Sequence, residues 1–243
     1  GEGADVITLS GGTNTVQGNS GADSITATAG TNIIDAGADN DTITATGGNN
    51  TIDSGAGLNT LSLNGGTNSV TGGAAADNIT TTSGTNVINA GAGTDTIALN
   101  GGINTVNAQS GVDTITASSG QNVIDAGDDA DVITLSGGFN TVQGNSGTDT
   151  FTVSGGTNVI DGGADDKVGH AHRVIISQGV TGTRTETATV TFTDLSANQS
   201  LSLGGRTFTA SSSRQPLTST TATKRGTRRP HTRCKPRTNG LST

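Results

Sequence analysis

Tryptophan, tyrosine and methionine are absent from this chain, and phenylalanine occurs only four times in 243 residues. An ordinary globular core of aromatics and long aliphatics is therefore excluded, and the chain must either stay disordered or build a thin core from a regular pattern of Ile, Val and Leu. Positive charge is missing from most of it as well. Residues 1–166 hold 18 of the 20 acidic residues and no Lys or Arg. Such a segment has no internal counter-ion, so its carboxylates must sit in water or recruit cations. A single cysteine, Cys234, excludes an intrachain disulfide. No run of 18 apolar residues exists, so no membrane span is expected. Residues 1–166 also lack His, Cys and Tyr, which removes the usual general bases and nucleophiles. Paired aspartates alone can hydrolyse glycosides, but a strict short repeat leaves no place for the long loops and cationic cleft of such an enzyme. No catalytic residue is assigned, and the chain is read as non-enzymatic.

What the chain does contain is a repeat. Stepping by 18 from Asp5 gives Asp23, Asp41, Asn59, Asp77, Asp95, Asp113, Asp131 and Asp149. The same step from Asn14 gives Asn32, Asn50, Asn68, Asn86, Asn104, Asn122, Asn140 and Asn158 without exception. Two residues after each Asp-row member stands Ile, Leu or Phe, and two after each Asn stands Val or Ile. Apolar positions alternate with Thr, Ser and other polar residues, which is the period of a β-strand. Gly, Asn and Asp before each strand are turn residues. The pattern predicts an all-β fold: a parallel β-solenoid of about nine 18-residue coils over residues 1–166, each coil being strand, turn, strand, turn. Inside, the Ile and Val rows face each other. A second row of Leu or Ala (Leu9, Ala27, Ala45, Leu63, Leu99, Ala117, Leu135) opposes a row of small residues (Gly18, Ala36, Ser54, Gly72, Ala90), so the sheets can approach closely. Lys167 and Gly169 fall where the next Asp and Ile belong, and there the array is expected to stop.

Stacking brings Asp-row carboxylates to about 5 Å from one another, where two bare charges repel by about 0.8 kcal/mol in water and about 3 kcal/mol at an effective dielectric of 20. A cation between them relieves this. Hard oxygen donors suit Ca²⁺, which takes six to eight oxygens from carboxylates and backbone carbonyls. The expected metal residues are Asp5, Asp23, Asp41, Asp77, Asp95, Asp113, Asp131 and Asp149. With Asn59 interrupting the row, they form six neighbouring pairs. A metal-free solenoid in which Asp merely caps turns stands beside this reading. The Asn row has one neutral carbonyl oxygen per residue, binds Ca²⁺ poorly, and suits a coil-to-coil amide ladder.

Gly91-Ala92-Gly93-Thr94-Asp95-Thr96-Ile97 and Gly1-Glu2-Gly3-Ala4-Asp5-Val6-Ile7 resemble the glycine-rich nonapeptide of the repeat-in-toxin (RTX) calcium-binding β-roll. The resemblance covers residues 1–166 and implies a repeat region of a bacterial exoprotein, toxin, protease or adhesin, with Ca²⁺ bridging the turns of consecutive coils. The chain departs from the family in carrying Asn in every second nonapeptide, with the glycines shifted, as in Gly11-Gly12-Thr13-Asn14. Calcium is thus expected on one edge only.

The remainder changes character. Residues 167–213 read as a short β-strand module, with strands at Arg173–Ile176 and Thr187–Phe192 and a hairpin around Gly204-Gly205. Ala188–Ala210 resembles a small β module that follows repeats in large bacterial exoproteins. Residues 214–243 carry eight basic residues and no acid and read as a disordered tail. His170 and His172, with no third ligand nearby, read as linker rather than as a metal pair. A Thr row (Thr8, Thr26, Thr44 and onward) resembles the faces of ice-binding solenoids, but the breaks at Asn64, Ala98 and Asn100 favour a solubilising outward face. The expected function is a structural or adhesive segment of a secreted or cell-surface bacterial protein, held by Ca²⁺. A calcium-independent spacer or ice-binding solenoid, and the repeat tail of an exported enzyme, are the alternatives. Expected partners are calcium ions, cell-surface or matrix components, and other copies end to end, with no nucleic acid. Gly1–Asp5 already lies within a repeat, so the chain is expected to be a fragment of a longer protein.

Overall fold

In the computed structural model, residues 1–163 are described in full, together with the backbone of four strands at 173–176, 189–191, 200–203 and 206–209. Among the described residues every regular element is a β-strand. Odd-numbered strands in chain order build one ten-stranded sheet and even-numbered strands another, so each coil contributes one strand to each sheet. All pairings within the two sheets are parallel, and from Val6 to Asp161 the register is the repeat itself: Ile7 lies beside Ile25, Asn14 beside Asn32, and so on along the stack. Any slip would break the match of Asp, Asn, Ile and Gly rows at once, so the register is over-determined.

Each coil closes because its inward positions are apolar or small. Ile25, Ala27, Ile34 and Ala36 are at most 1 % exposed, and their equivalents repeat down the stack. Small partners let the sheets approach. In the ninth coil Phe151 replaces the usual Ile, and Gly144 makes room for it: a Cβ there would come within 3.1 Å of the ring. The Thr row from Thr26 onward is half-buried between its neighbours, and only Thr8, at the open edge, is exposed.

The longer turn carries two left-handed positions. Gly fills most of them, yet Asp39 and Asp129 hold φ of 82° and 81°. Asp tolerates this region better than most residues, so the turns before Asp41 and Asp131 form with Asp where other coils carry Gly. At Ala75, before Asp77, positive φ is not adopted.

One expectation is corrected. Lys167 and Gly169 end the 18-residue spacing, but the sheets continue. Arg173–Ile176 pairs in parallel with Thr150–Val153, and Thr189–Thr191 pairs with Val159–Asp161. An open sheet edge is a template for any extended segment that can reach it, and pairing needs backbone donors and acceptors rather than the Asp and Ile of the repeat. Ser200–Leu203 and Arg206–Thr209 form the antiparallel hairpin expected there. The tail 214–243, His170, His172 and Cys234 lie outside the described residues.

Candidate metal edge

The two polar rows stand at the corners where strands meet turns, and both point inward. Asp5, Ile7 and Leu9 share the parity of one strand, and Asn14 and Val16 share that of the next, so period-2 alternation sends all of them to the interior. Asn32, Asn68, Asn86 and Asn104 are each 1 % exposed, and Asp95, Asp113, Asp131 and Asp149 are 0 % exposed. Asp5, at the open edge, is half-buried, with one carboxylate oxygen 3.1 Å from the Gly1 amino group. Of the two fates the sequence leaves these carboxylates, water or a cation, the burial of the Asp row from Asp23 onward removes the first.

The Asn row is fully hydrogen-bonded. Each Nδ2 donates to the Oδ1 of the Asn in the next coil, at 2.6–2.8 Å, from Asn14 to Asn158. Its second proton goes to the carbonyl three residues earlier, as from Asn104 to Gly101 at 3.0 Å. Both protons and the acceptor of each interior amide are used.

The Asp row is only half satisfied. One carboxylate oxygen, Oδ1, accepts the backbone N–H of the Asp-row residue in the preceding coil. Asp5 N–H donates to Asp23, Asp23 to Asp41, and the chain runs on to Asp149 at 2.7–2.9 Å. Asn59 does not interrupt this ladder; its Oδ1 accepts from Asp41 N–H at 2.9 Å. What it interrupts is the row of second oxygens. The Oδ2 atoms of Asp23, Asp41, Asp77, Asp95, Asp113 and Asp131 are buried with no hydrogen-bond partner. Those of Asp23 and Asp77 also face carbonyl oxygens. A Cβ on Gly18 would collide with both Asp23 Oδ2 and the Ala36 carbonyl oxygen, so these two oxygens converge on one point. At Gly72 the same point lies 2.6 Å from Asp77 Oδ2 and closer still to the Ala90 carbonyl.

Buried oxygens facing oxygens require positive charge density between them. Burial accordingly pushes these carboxyls up: Asp41 and Asp95 are raised, Asp77 reaches about 6 and Asp113 about 7. Asp131 reaches about 8, through burial first and then the neighbouring carboxylates of Asp149, Asp113 and Asp129. Either a proton or a cation answers the demand. Unpartnered carboxylate oxygens next to backbone carbonyls are a hard-oxygen donor set of the kind Ca²⁺ takes, and residues 1–166 offer no Lys or Arg to compete. Among the described residues no three acidic, His or Cys side chains converge on a common point. A cation here would thus draw on one or two carboxylates and fill its remaining positions with carbonyls and water.

Sequence reasoning placed the Asp and Asn rows but missed their burial, the backbone-amide ladder through Oδ1, and the carbonyls that face Oδ2. The first was legible in the shared parity of Asp5 and Ile7. The other two depend on side-chain torsions that no spacing encodes.

Comparison with known proteins agrees with this geometry. No curated protein and no solved structure matches the chain. The family model for the RTX calcium-binding nonapeptide repeat matches in overlapping or abutting windows that run from residues 1–34 through 134–166. Those windows tile the nine 18-residue coils and leave the rest of the chain after residue 166 unmatched. With the repeat, the parallel coils and the acidic turn row in one segment, the chain belongs to the RTX calcium-binding nonapeptide repeat family.

Proposed function

We propose that residues 1–166 form a calcium-locked rod in a secreted or cell-surface bacterial protein. Asp5, Asp23, Asp41, Asp77, Asp95, Asp113, Asp131 and Asp149 form its cation edge, and the Asn row is the metal-free ladder that closes the opposite edge. The row of buried, unpartnered Oδ2 atoms carries this reading. Without a cation each is a desolvation penalty; with one, the same oxygens become ligands and each coil is tied to the next. Where free calcium is scarce, as inside a cell, the array would stay loose; outside, it would set. A structural role follows from the absence of catalytic side chains in the array.

The decisive experiment is circular dichroism of the full chain during a calcium titration, with magnesium as control. A gain of β signal with calcium and not with magnesium is the expected result. An unchanged β spectrum in chelator would sink the calcium lock and leave a passive, calcium-independent spacer.

The adhesive part of the proposal draws on one surface. Ile103, Val123, Phe139 and Val159 are each at least 51 % exposed and lie close together on the outward face of the second sheet, lining a groove of about 520 Å³. Apolar side chains left in water on neighbouring coils mark a contact surface. Phe139→Ser is expected to weaken attachment of chain-coated beads to bacterial cells by several-fold while leaving the calcium transition in place. Equal attachment by the two forms would remove the adhesive role.

A further inference from the structure

We infer that Asn59 is a rung that needs no metal: its side-chain amide supplies from within the chain the positive charge density that a cation supplies at the aspartate rungs. Asn59 stands in the Asp row at 1 % exposure, and its backbone and Oδ1 repeat the contacts of its neighbours. The Asp41 N–H fixes which amide atom is the oxygen, so the other atom is Nδ2. That Nδ2 occupies the place of the orphaned Oδ2 and donates to the Ser54 carbonyl at 3.1 Å. Ser54 lies five residues earlier, where Gly18, Ala36, Gly72, Ala90, Ala108 and Ala126 stand before Asp23, Asp41, Asp77, Asp95, Asp113 and Asp131. The one neutral member of the row is thus its one interior member with every polar atom satisfied by the protein alone. Asn59 has what the aspartate rungs lack, a side-chain donor with a backbone carbonyl in reach.

A consequence is a division of the row. No carboxylate of the row stands between Asp41 and Asp77, so the row's ions are confined to Asp5–Asp41 on one side and Asp77–Asp149 on the other. The middle of the rod, held by Asn59 and the Asn row, keeps its coil contacts when calcium is withdrawn. This part rests on the cation reading of the Asp row, whereas the satisfaction of Asn59 stands without it.

Two substitutions in the full chain test the inference, Asn59→Asp and Asp95→Asn, each read by urea midpoint in chelator and by the number of calcium ions bound at saturation. Asn59→Asp should lower the midpoint in chelator and bind at least one ion more than the parent. Asp95→Asn should raise the midpoint in chelator and bind at least one ion fewer. Should Asn59→Asp fail to fold without calcium, Asp95→Asn still decides. An Asn59→Asp protein with the parent's midpoint and ion count, or an Asp95→Asn protein no more stable than the parent in chelator, would overturn the inference. A parent chain that binds no calcium would refute the cation edge instead, and the two midpoints in chelator would then decide the role of Asn59 by themselves.

Discussion

In chelator, the solenoid is expected to be most stable near pH 4 and to lose stability steadily as the pH rises to about 8. Burial raises the carboxyls of Asp41, Asp77, Asp95, Asp113 and Asp131 in the folded chain. In the unfolded chain they titrate near 3.9. The folded state therefore binds protons more tightly, and its advantage is complete below the unfolded value and lost as the pH passes through the folded ones. Asp77 alone, moved from 3.8 to about 6, corresponds to about 3 kcal/mol. Asp113 at about 7 and Asp131 at about 8 extend the loss to neutral pH and beyond. Their combined effect is comparable with the whole stability of an ordinary domain, about 5–15 kcal/mol. Calcium should reverse the trend, because it binds the ionised form and competes with the proton. Urea midpoints at several pH values, with chelator and with calcium, measure both slopes. The exposed acids of the rod repel each other less at low pH and push in the same direction. The triple change Asp77→Asn, Asp113→Asn and Asp131→Asn separates the contributions by flattening only that of the buried row. A chelator slope that is flat or rises with pH would show that the row does not titrate as its burial requires.

The second large effect belongs to the opposite corner. Asn104 donates to Asn122 at 2.7 Å and to the Gly101 carbonyl at 3.0 Å, and accepts from Asn86 at 2.8 Å. Asn104→Ala leaves buried partners on both sides unpaired, at about 1–3 kcal/mol for each group. A loss of about 3 kcal/mol in urea unfolding is expected. Asn104→Asp should cost more: the new oxygen would face the Asn122 and Gly101 oxygens, and the charge would be buried. In a solenoid each repeat contacts only its neighbours. A broken rung therefore uncouples the coils before Asn104 from those after it, and the unfolding transition should broaden or split. A loss below about 1 kcal/mol for both variants would mean that the aliphatic rows alone hold that edge.

Much of this was written in the spacing. The 18-residue step with its Gly, Asp, Asn and Ile rows was enough to predict two parallel sheets and their register, because a strand's side chains alternate and identical rows stack best on themselves; the hairpin near Gly204-Gly205 was legible separately, from its turn glycines and flanking alternation. Extension of the sheets by Arg173–Ile176 and Thr189–Thr191 was not legible, since it depends on backbone edges that have no sequence signature. Asp39 and Asp129 in left-handed turns were hidden for a related reason: the demand for φ > 0 comes from the coil, and Asp can meet it in place of Gly.

The contrast is sharpest at Asp95 and Asn104. Sequence alone determined that one row is anionic and the other neutral, and that each recurs once per coil. The inward parity of both rows was there to read, and only the tertiary structure decided how completely they are buried. It also decided that Asp Oδ1 is used by the backbone of the coil before, and that Oδ2 is left without a hydrogen bond while both protons of each interior Asn-row amide find an acceptor. The physical reason is that charge and periodicity are properties of the chain, whereas satisfaction of a polar atom depends on which groups the fold places within hydrogen-bond reach of it.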